Sequence, residues 1–318
     1  MSAFFYRAVP LTVIGGFLGA GKTTLLNAVL AQAEGRRIAV LVNDFGDLQI
    51  DAALISQRSA TTIGLRNGCV CCSLAGGLVN ALSEALALDP APDHVVVEAS
   101  GVSDPRRIAQ VARTGAGFSP EATAVVVAAD QIETLAGDRY VGDTVMGQLA
   151  AADLLILNKI DLVDRTSKQR VLEWLRNKAP LPTIIEAQHA DVPIEITLGP
   201  MPPERHSFAE SNSSAESQHG GLYATRVFRC AAVINEAKLR NVLDQLPRSV
   251  LRLKGFVRLD SNPKRLRLVQ SVGPRWTICD AGSAIEHEGS ALVVIGAKEL
   301  ITDYELTEIR ELFNPPLS

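Results

Sequence analysis

No apolar run in this 318-residue chain reaches the ~18 residues that a bilayer-crossing helix needs, so no membrane span is expected. Basic charge is not in excess either. The chain carries 31 Lys and Arg against 35 Asp and Glu, a net charge of −4, which points away from nucleic acid or an anionic membrane surface as a partner. The opening stretch MSAFFYRAVP lacks a long apolar run after a basic start, so no secretory signal is expected and the expected location is cytoplasmic. Cysteines number five, an odd count that argues against a disulfide framework. There is no internal repeat. An apolar share of 47% is enough for a chain of this length to bury a core without covalent staples.

The cysteines that are present are not scattered. The stretch NGCVCCSL places Cys69, Cys71 and Cys72 within four positions. Three thiols in this spacing cannot join in one relaxed disulfide, and a bridge between adjacent Cys71 and Cys72 would be strained. In a reducing compartment, clustered thiols serve metal binding or redox chemistry more often than cross-linking. Thiolates suit Zn²⁺, Cu⁺ or Co²⁺, and three protein ligands leave a fourth position open for exchange. The cluster leads into a helix candidate whose N-terminus lowers thiol pKa. A redox switch and buried structural cysteines are the alternatives; Cys230 and Cys279, alone in apolar strands, fit the latter.

Up to about residue 195, short Val/Ile-rich runs (LTVIG, RIAVLVN, HVVVEAS, ATAVVVAAD, DLLILN, PTIIEA) alternate with helix candidates at Lys22–Gln32, Leu74–Leu88, Asp104–Arg113, Thr144–Ala151 and Ser167–Lys178. Nearly continuous apolar strands of this kind are buried on both faces of a parallel sheet. The alternation implies a doubly wound α/β domain over 8–197. Residues 198–221, rich in Pro, Ser, Glu and Gly, read as a linker. From 222 to 318 the strands YATRVFRC, VLRLKGFVRL, RLRLVQSV, RWTICD and SALVVIG alternate more, with helix candidates at Glu236–Gln245 and Asp303–Phe313. A smaller α+β domain with a one-sided antiparallel sheet is expected there. Arg252, Lys254 and Arg258 in RLKGFVR are expected on a solvated face.

GGFLGAGKTT carries the pattern G-x-x-x-x-G-K-[ST] through Gly16, Gly21, Lys22 and Thr23, with Gly19, Ala20 and Thr24 in the same loop. A strand runs in and an amphipathic helix runs out, so backbone N–H groups and a positive helix end converge on an anion. Lys22 is expected on the β- and γ-phosphates and the Thr23 hydroxyl on Mg²⁺. Downstream, HVVVEASG delivers Glu98 at a strand's carboxyl end, to hold Mg²⁺ through water or to orient the attacking water, and Gly101, whose N–H could sense the γ-phosphate. LLILNKID ends a strand with Asn158, Lys159 and Asp161. A carboxylate at Asp161 can accept from guanine N1–H and its exocyclic amine, the alkyl stem of Lys159 can lie along the base, and Asn158 can brace the loop. GTP is therefore expected over ATP. The bland alternatives are a solvated turn at Asn158–Asp161 and a helix-capping carboxylate at Glu98. VNDFGDLQID adds Asp44, Asp47 and Asp51, read either as a solvated acidic turn or as a switch segment in which Asp44 serves catalysis or ligates metal.

In this order, GGFLGAGKTT, VNDFG, NGCVCC, VVVEASGVSDP and NKID resemble the CobW-like metallochaperone GTPases, a branch of the P-loop GTPases, over about residues 8–195. VLRLKGFVRL…LVQSVG resembles that family's smaller C-terminal domain. The resemblance implies a slow GTPase that binds GTP/GDP, Mg²⁺ and a transition metal, Zn²⁺ or Co²⁺, and allocates that metal to a client metalloprotein. Family members commonly carry Glu where this chain has Asp44, and ETSG where it has EASG at Ala99. Many also carry a long His-rich tract between domains, whereas this linker holds only His206 and His219, which speaks against high-capacity metal storage. No arginine or glutamine stands out as a catalytic partner, so unassisted turnover is expected to be slow. GTP is expected to pin the 43–51 loop and the 98–104 segment, moving the cysteine loop with them. Rival readings are a maturation factor for one metalloenzyme with a structural metal, a redox-regulated nucleotide-binding module, and an ATP-dependent small-molecule kinase. The C-terminal sheet could cover the metal loop, bind the client or mediate a homodimer.

Overall fold

The computed structural model of the chain describes residues 8–33, 35–42, 61–64, 76–114, 117–200, 222–281, 289–299, 301–302 and 305–313. The chain divides into two compact units, one spanning Ala8–Leu198 and the other running from Gly199 to the C-terminus.

The first unit is built on a seven-stranded sheet. Its strands are β1 (Val9–Gly15), β2 (Ile38–Val42), β3 (Thr61–Gly64), β4 (His94–Glu98), β5 (Phe118–Ala128), β6 (Leu154–Asn158) and β7 (Thr183–Glu186). They lie in the order β3-β2-β4-β1-β5-β6-β7, and every pairing is parallel. Its helices are α1 (Lys22–Ala31), α2 (Gly76–Leu86), α3 (Pro105–Thr114), α4 (Ile132–Gly137), α5 (Gly142–Ala151), α6 (Arg165–Lys178) and α7 (Ile194–Thr197). The continuously apolar segments IAVLV, HVVVE and LLILN are buried at every position, as strands covered on both faces must be. Val9, Leu11 and Val13 pack with Leu78 and Leu82 of α2 and Ile108 of α3. Val125, Val127, Leu155 and Leu157 meet Val145 and Leu149 of α5 and Leu175 of α6. Helix α1 packs on β1 and β4 through Leu25, Leu26, Val29 and Leu30.

Three elements escaped the sequence pattern. Strand β3 and the short helices α4 and α7 have too few residues to show a period. Strand β5 also begins earlier than its apolar run, at Phe118, and includes Pro120 and Glu121. Residues 118–120 pair with β1 alone, because the β6 pairing starts at Ala124. The missing N–H of Pro120 therefore breaks no ladder on that side. A register shift between Leu11 and Thr12 leaves Glu121 as the extra residue of a bulge.

The second unit is a five-stranded antiparallel sheet of β8 (Tyr223–Cys230), β9 (Val250–Arg258), β10 (Leu266–Val272), β11 (Arg275–Asp280) and β12 (Ser290–Ala297), ordered β11-β10-β9-β12-β8. It is joined by α8 (Glu236–Asp244) and α9 (Thr307–Phe313). Leu253, Val257, Leu292 and Val294 form one core with Leu239, Leu243, Ile309 and Phe313 of these helices. The sheet is not one-sided. Arg252 faces Ile295 and Val272 across the strands, Lys254 faces Val293 and Gln270, and directly opposed residues share a face. That second face is covered too: Arg252 is 1% exposed and Lys254 4%. The expectation of a solvated basic strand is therefore wrong for both; only Arg258 remains partly open. Basic side chains in an alternating strand mimic a solvent face, and nothing in the local sequence distinguishes them from buried cations held by partners. Cys230 and Cys279 sit half-buried in the edge strands β8 and β11, and neither is in a disulfide.

Helix α8 starts at Asn235, whose side-chain oxygen accepts from the Lys238 N–H at 2.9 Å while its Nδ2 donates to Asp260 at 2.6 Å. Asn235→Ala is expected to cost about 1 kcal/mol, with Asn235→Ser recovering most of it, as read from urea unfolding monitored in this unit.

Candidate nucleotide site

Parallel strands deliver all their carboxyl ends to one edge of the sheet. β2, β3 and β4 lie on one side of β1, and β5, β6 and β7 on the other, so the loop leaving β1 opens at the point where strand order reverses. Ligands of open α/β sheets sit there.

The loop Gly15–Gly21 leads straight into α1. Gly16 holds φ 133°, and a Cβ at that position would run into the Val126 carbonyl. Gly21 is the N-cap of α1 with φ 108°, and a Cβ there would strike the Asn158 amide. Both positions thus require glycine for two reasons, backbone conformation and space. The N-cap offers no side-chain hydrogen bond, so the first N–H groups of α1 stay directed into the loop. Lys22 is 9% exposed, and its Nζ donates to the Phe17 carbonyl at 3.2 Å, which arches the ammonium over the loop. Gly19 and Thr24 are exposed and Ala20 is buried.

Thr23 Oγ1 donates to Glu98 Oε1 at 2.9 Å. This contact joins the start of α1 to the end of β4, and Glu98 is 2% exposed. Residues 98 and 23 belong to separate motifs, and the fold brings them into direct contact. Gly101 follows in a turn beneath the loop. Oxygen donors at this spot, one hydroxyl and one carboxylate, fit a hard cation such as Mg²⁺.

Asn158 ends β6 and is 2% exposed. Its Nδ2 donates to the Ala20 carbonyl at 3.0 Å, and its Oδ1 accepts from the Ala190 N–H at 2.7 Å. Lys159 follows with φ 61°, in the left-handed region, and Asp161 lies exposed in the 3₁₀ turn Ile160–Leu162. The partner loop, Gln188–Ala190, was not picked out from the sequence. His189 and Ala190 have φ 51° and 55°, uncommon for residues with a side chain. No glycine marks them, so only the preceding strand hinted at a loop in this place. Cys69, Cys71, Cys72, Asp44 and the whole 43–51 segment lie outside the described residues.

A glycine-rich turn between a buried parallel strand and a helix, with a Thr–Glu contact beside it, defines a P-loop nucleotide-binding fold. The particular family follows from comparison. Residues 10–186 match the CobW/HypB/UreG nucleotide-binding domain, and residues 223–314 match the cobalamin synthesis protein cobW C-terminal domain. The chain belongs to the CobW/HypB/UreG family. It is 30% identical to a zinc chaperone CobW of Sinorhizobium sp, over 92% of this chain and 94% of that one. It is 32% identical to a zinc chaperone CobW of Pseudomonas aeruginosa, over 91% and 87%. It is 25% identical to a zinc-regulated GTPase metalloprotein activator 1 of Dictyostelium discoideum, over 87% and 68%. No helix among the described residues is long and apolar enough to cross a membrane.

The Asn158 bridge generates a direct prediction. Asn158→Asp keeps the acceptor for Ala190 but sets a carboxylate against the Ala20 carbonyl. It is expected to cost roughly 2–3 kcal/mol, more than Asn158→Ser, as measured by urea unfolding without nucleotide.

Proposed function

We propose that this protein is a GTP-binding, slowly hydrolysing metallochaperone that carries a transition metal, zinc foremost, to a client metalloprotein under nucleotide control. The observation that carries the guanine part is the Asn158 bridge. It ties the phosphate loop to the loops after β6 and β7, so Lys159 and Asp161 stand beside a site for phosphates rather than on an unrelated turn. In this reading Gly16, Gly19, Ala20, Gly21 and Thr24 cradle the phosphates through their backbone. Lys22 leaves the Phe17 carbonyl for the β- and γ-oxygens. Asp161 accepts from the guanine edge, and Lys159 covers the base. Thr23 and Glu98 would hold Mg²⁺, which supplies charge neutralisation across the β- and γ-phosphates. Glu98, buried at the strand end, orients the attacking water through its carboxylate.

The metal is cargo. Cys69, Cys71 and Cys72 hold it, and Asp44 either adds an oxygen ligand to it or reaches the Mg²⁺ shell. The relatives named as zinc chaperones favour zinc over cobalt. The activator name of the Dictyostelium relative supports a second reading, in which the protein docks on one apo-enzyme and matures it, the cysteine metal being structural. The domain limits proposed with either reading are 8–197 for the GTPase domain, 198–221 for the linker and 222–318 for the C-terminal domain. The C-terminal domain recognises the client or a second copy of the chain.

Two measurements test this. Asp161→Asn is expected to lower the preference for GTP over ATP by roughly 10²-fold or more in competition binding, because the guanine donors lose their carboxylate. An unchanged preference would remove the guanine assignment. Chelator competition for zinc, run with a non-hydrolysable GTP analogue and again with GDP, should give dissociation constants differing by about 5- to 150-fold, the usual range of a coupling between two sites. Equal constants would reject nucleotide control. Cys71→Ser should weaken zinc binding in the second assay and, in a thermal melt, leave stability nearly unchanged, whereas a structural metal predicts that it lowers folded stability more than metal exchange.

A further inference from the structure

Gln148 is a buried amide that the proposed chemistry leaves without a task. It projects from α5 and is 2% exposed. Val145 and Leu149 flank it in an apolar cleft that Phe17 and Leu18 of the phosphate loop also line. Its Nε2 donates to the Gly101 carbonyl at 3.0 Å and to the Ser103 carbonyl at 3.1 Å. A primary amide nitrogen carries two N–H groups, so one side chain satisfies both acceptors.

The turn it holds is the one that follows Glu98. Within the turn, the Ser103 N–H and Ser103 Oγ both donate to the Ser100 carbonyl, at 3.0 and 2.9 Å. In a trans peptide the N–H points away from its own C=O. Drawing the Ser100 carbonyl back to Ser103 therefore aims the Gly101 N–H the opposite way. On the loop side Leu18 packs against Gly101 so closely that a Cβ there would sit 2.5 Å from Leu18 Cδ2 and 3.0 Å from the Leu18 nitrogen. The turn is thus gripped between the phosphate loop and α5, and among the described residues Gln148 supplies the α5 hydrogen bonds to it.

We infer that Gln148 is a positioning residue that sets the discrimination between GTP and GDP by holding the Gly101–Ser103 turn closed against Leu18. The inference rests on the guanine-nucleotide reading above. A γ-phosphate has use for a Gly101 N–H fixed in advance, and a preorganised donor in a water-poor site is worth more than one that must be ordered on binding. GDP does not reach the turn. Removing the amide leaves two carbonyls facing an apolar cleft, and the turn opens toward water to satisfy them. The loss then falls on the triphosphate alone.

The test is equilibrium binding of GDP and of a non-hydrolysable GTP analogue to the full chain with Mg²⁺. Gln148→Leu and Gln148→Met should keep the GDP constant within about twofold and weaken the analogue about tenfold, the equivalent of one to two neutral hydrogen bonds. Gln148→Glu can donate only when protonated, and burial raises a carboxyl pKa. Its analogue-to-GDP ratio, normalised to the unsubstituted chain at each pH, should therefore recover in part as pH falls, with one O–H to donate, whereas Gln148→Met, of similar volume and without a donor, should stay low at every pH, a contrast that a packing role would not produce. Should Gln148→Leu fail to fold, the Met and Glu variants decide. Equal losses for both nucleotides, or an unchanged ratio in every variant, would overturn the inference while the guanine reading stands. An unsubstituted chain that binds neither nucleotide would overturn both.

Discussion

One carboxamide holds the nucleotide edge of this protein together. Asn158 sits buried where β6 ends, and a buried primary amide must find partners for both its oxygen and its nitrogen. It finds them on two different loops, the Ala20 carbonyl of the glycine-rich turn and the Ala190 N–H beyond β7. Three segments far apart in sequence therefore take a common frame. The same amide excludes a side chain at position 21, because it occupies the space a Cβ would need. A glycine that looks from the motif like a phosphate requirement is also a requirement of the residue that ends β6.

The other cross-link at this edge is of a different kind. Thr23 and Glu98 meet where the Thr23 hydroxyl donates to a carboxyl oxygen of Glu98. Asn158 is neutral, buried and structural. The Thr23–Glu98 contact is only part-buried, whereas both Asn158 contacts are buried. Different side chains thus carry the buried and the part-buried links of the site, and Lys22 is held over the loop by its bond to the Phe17 carbonyl.

Much of this was legible beforehand. The glycines, Lys22 and Thr23 sit at fixed spacings, and the apolar strands around them have no solvent face to confuse the pattern. Glu98 and Asn158 were legible because they are polar residues ending such strands. What could not be read was non-local or concealed. Pro120 and Glu121 look like loop residues, and only the partial pairing of β5 admits them to a strand. His189 and Ala190 adopt left-handed backbone without a glycine to announce it. Gln148 looks like any amide in an amphipathic helix, since its worth depends on carbonyls more than forty positions away. Arg252 and Lys254 mislead for the same reason: burial is decided by what covers a strand, not by the strand.

The strand order also bears on biosynthesis. β1 leaves the ribosome before everything else in the sheet, yet its neighbours are β4 and β5, which begin at His94 and Phe118. A translated chain must therefore carry an unpaired, largely apolar first strand through some eighty residues of synthesis before either flank is available. Pairings this remote in sequence form slowly and leave sticky intermediates. The amide that frames the loop arrives later still, and the Ala190 N–H that donates to it last of all. The glycine-rich turn therefore reaches its final frame only after residues 158 and 190 have been made.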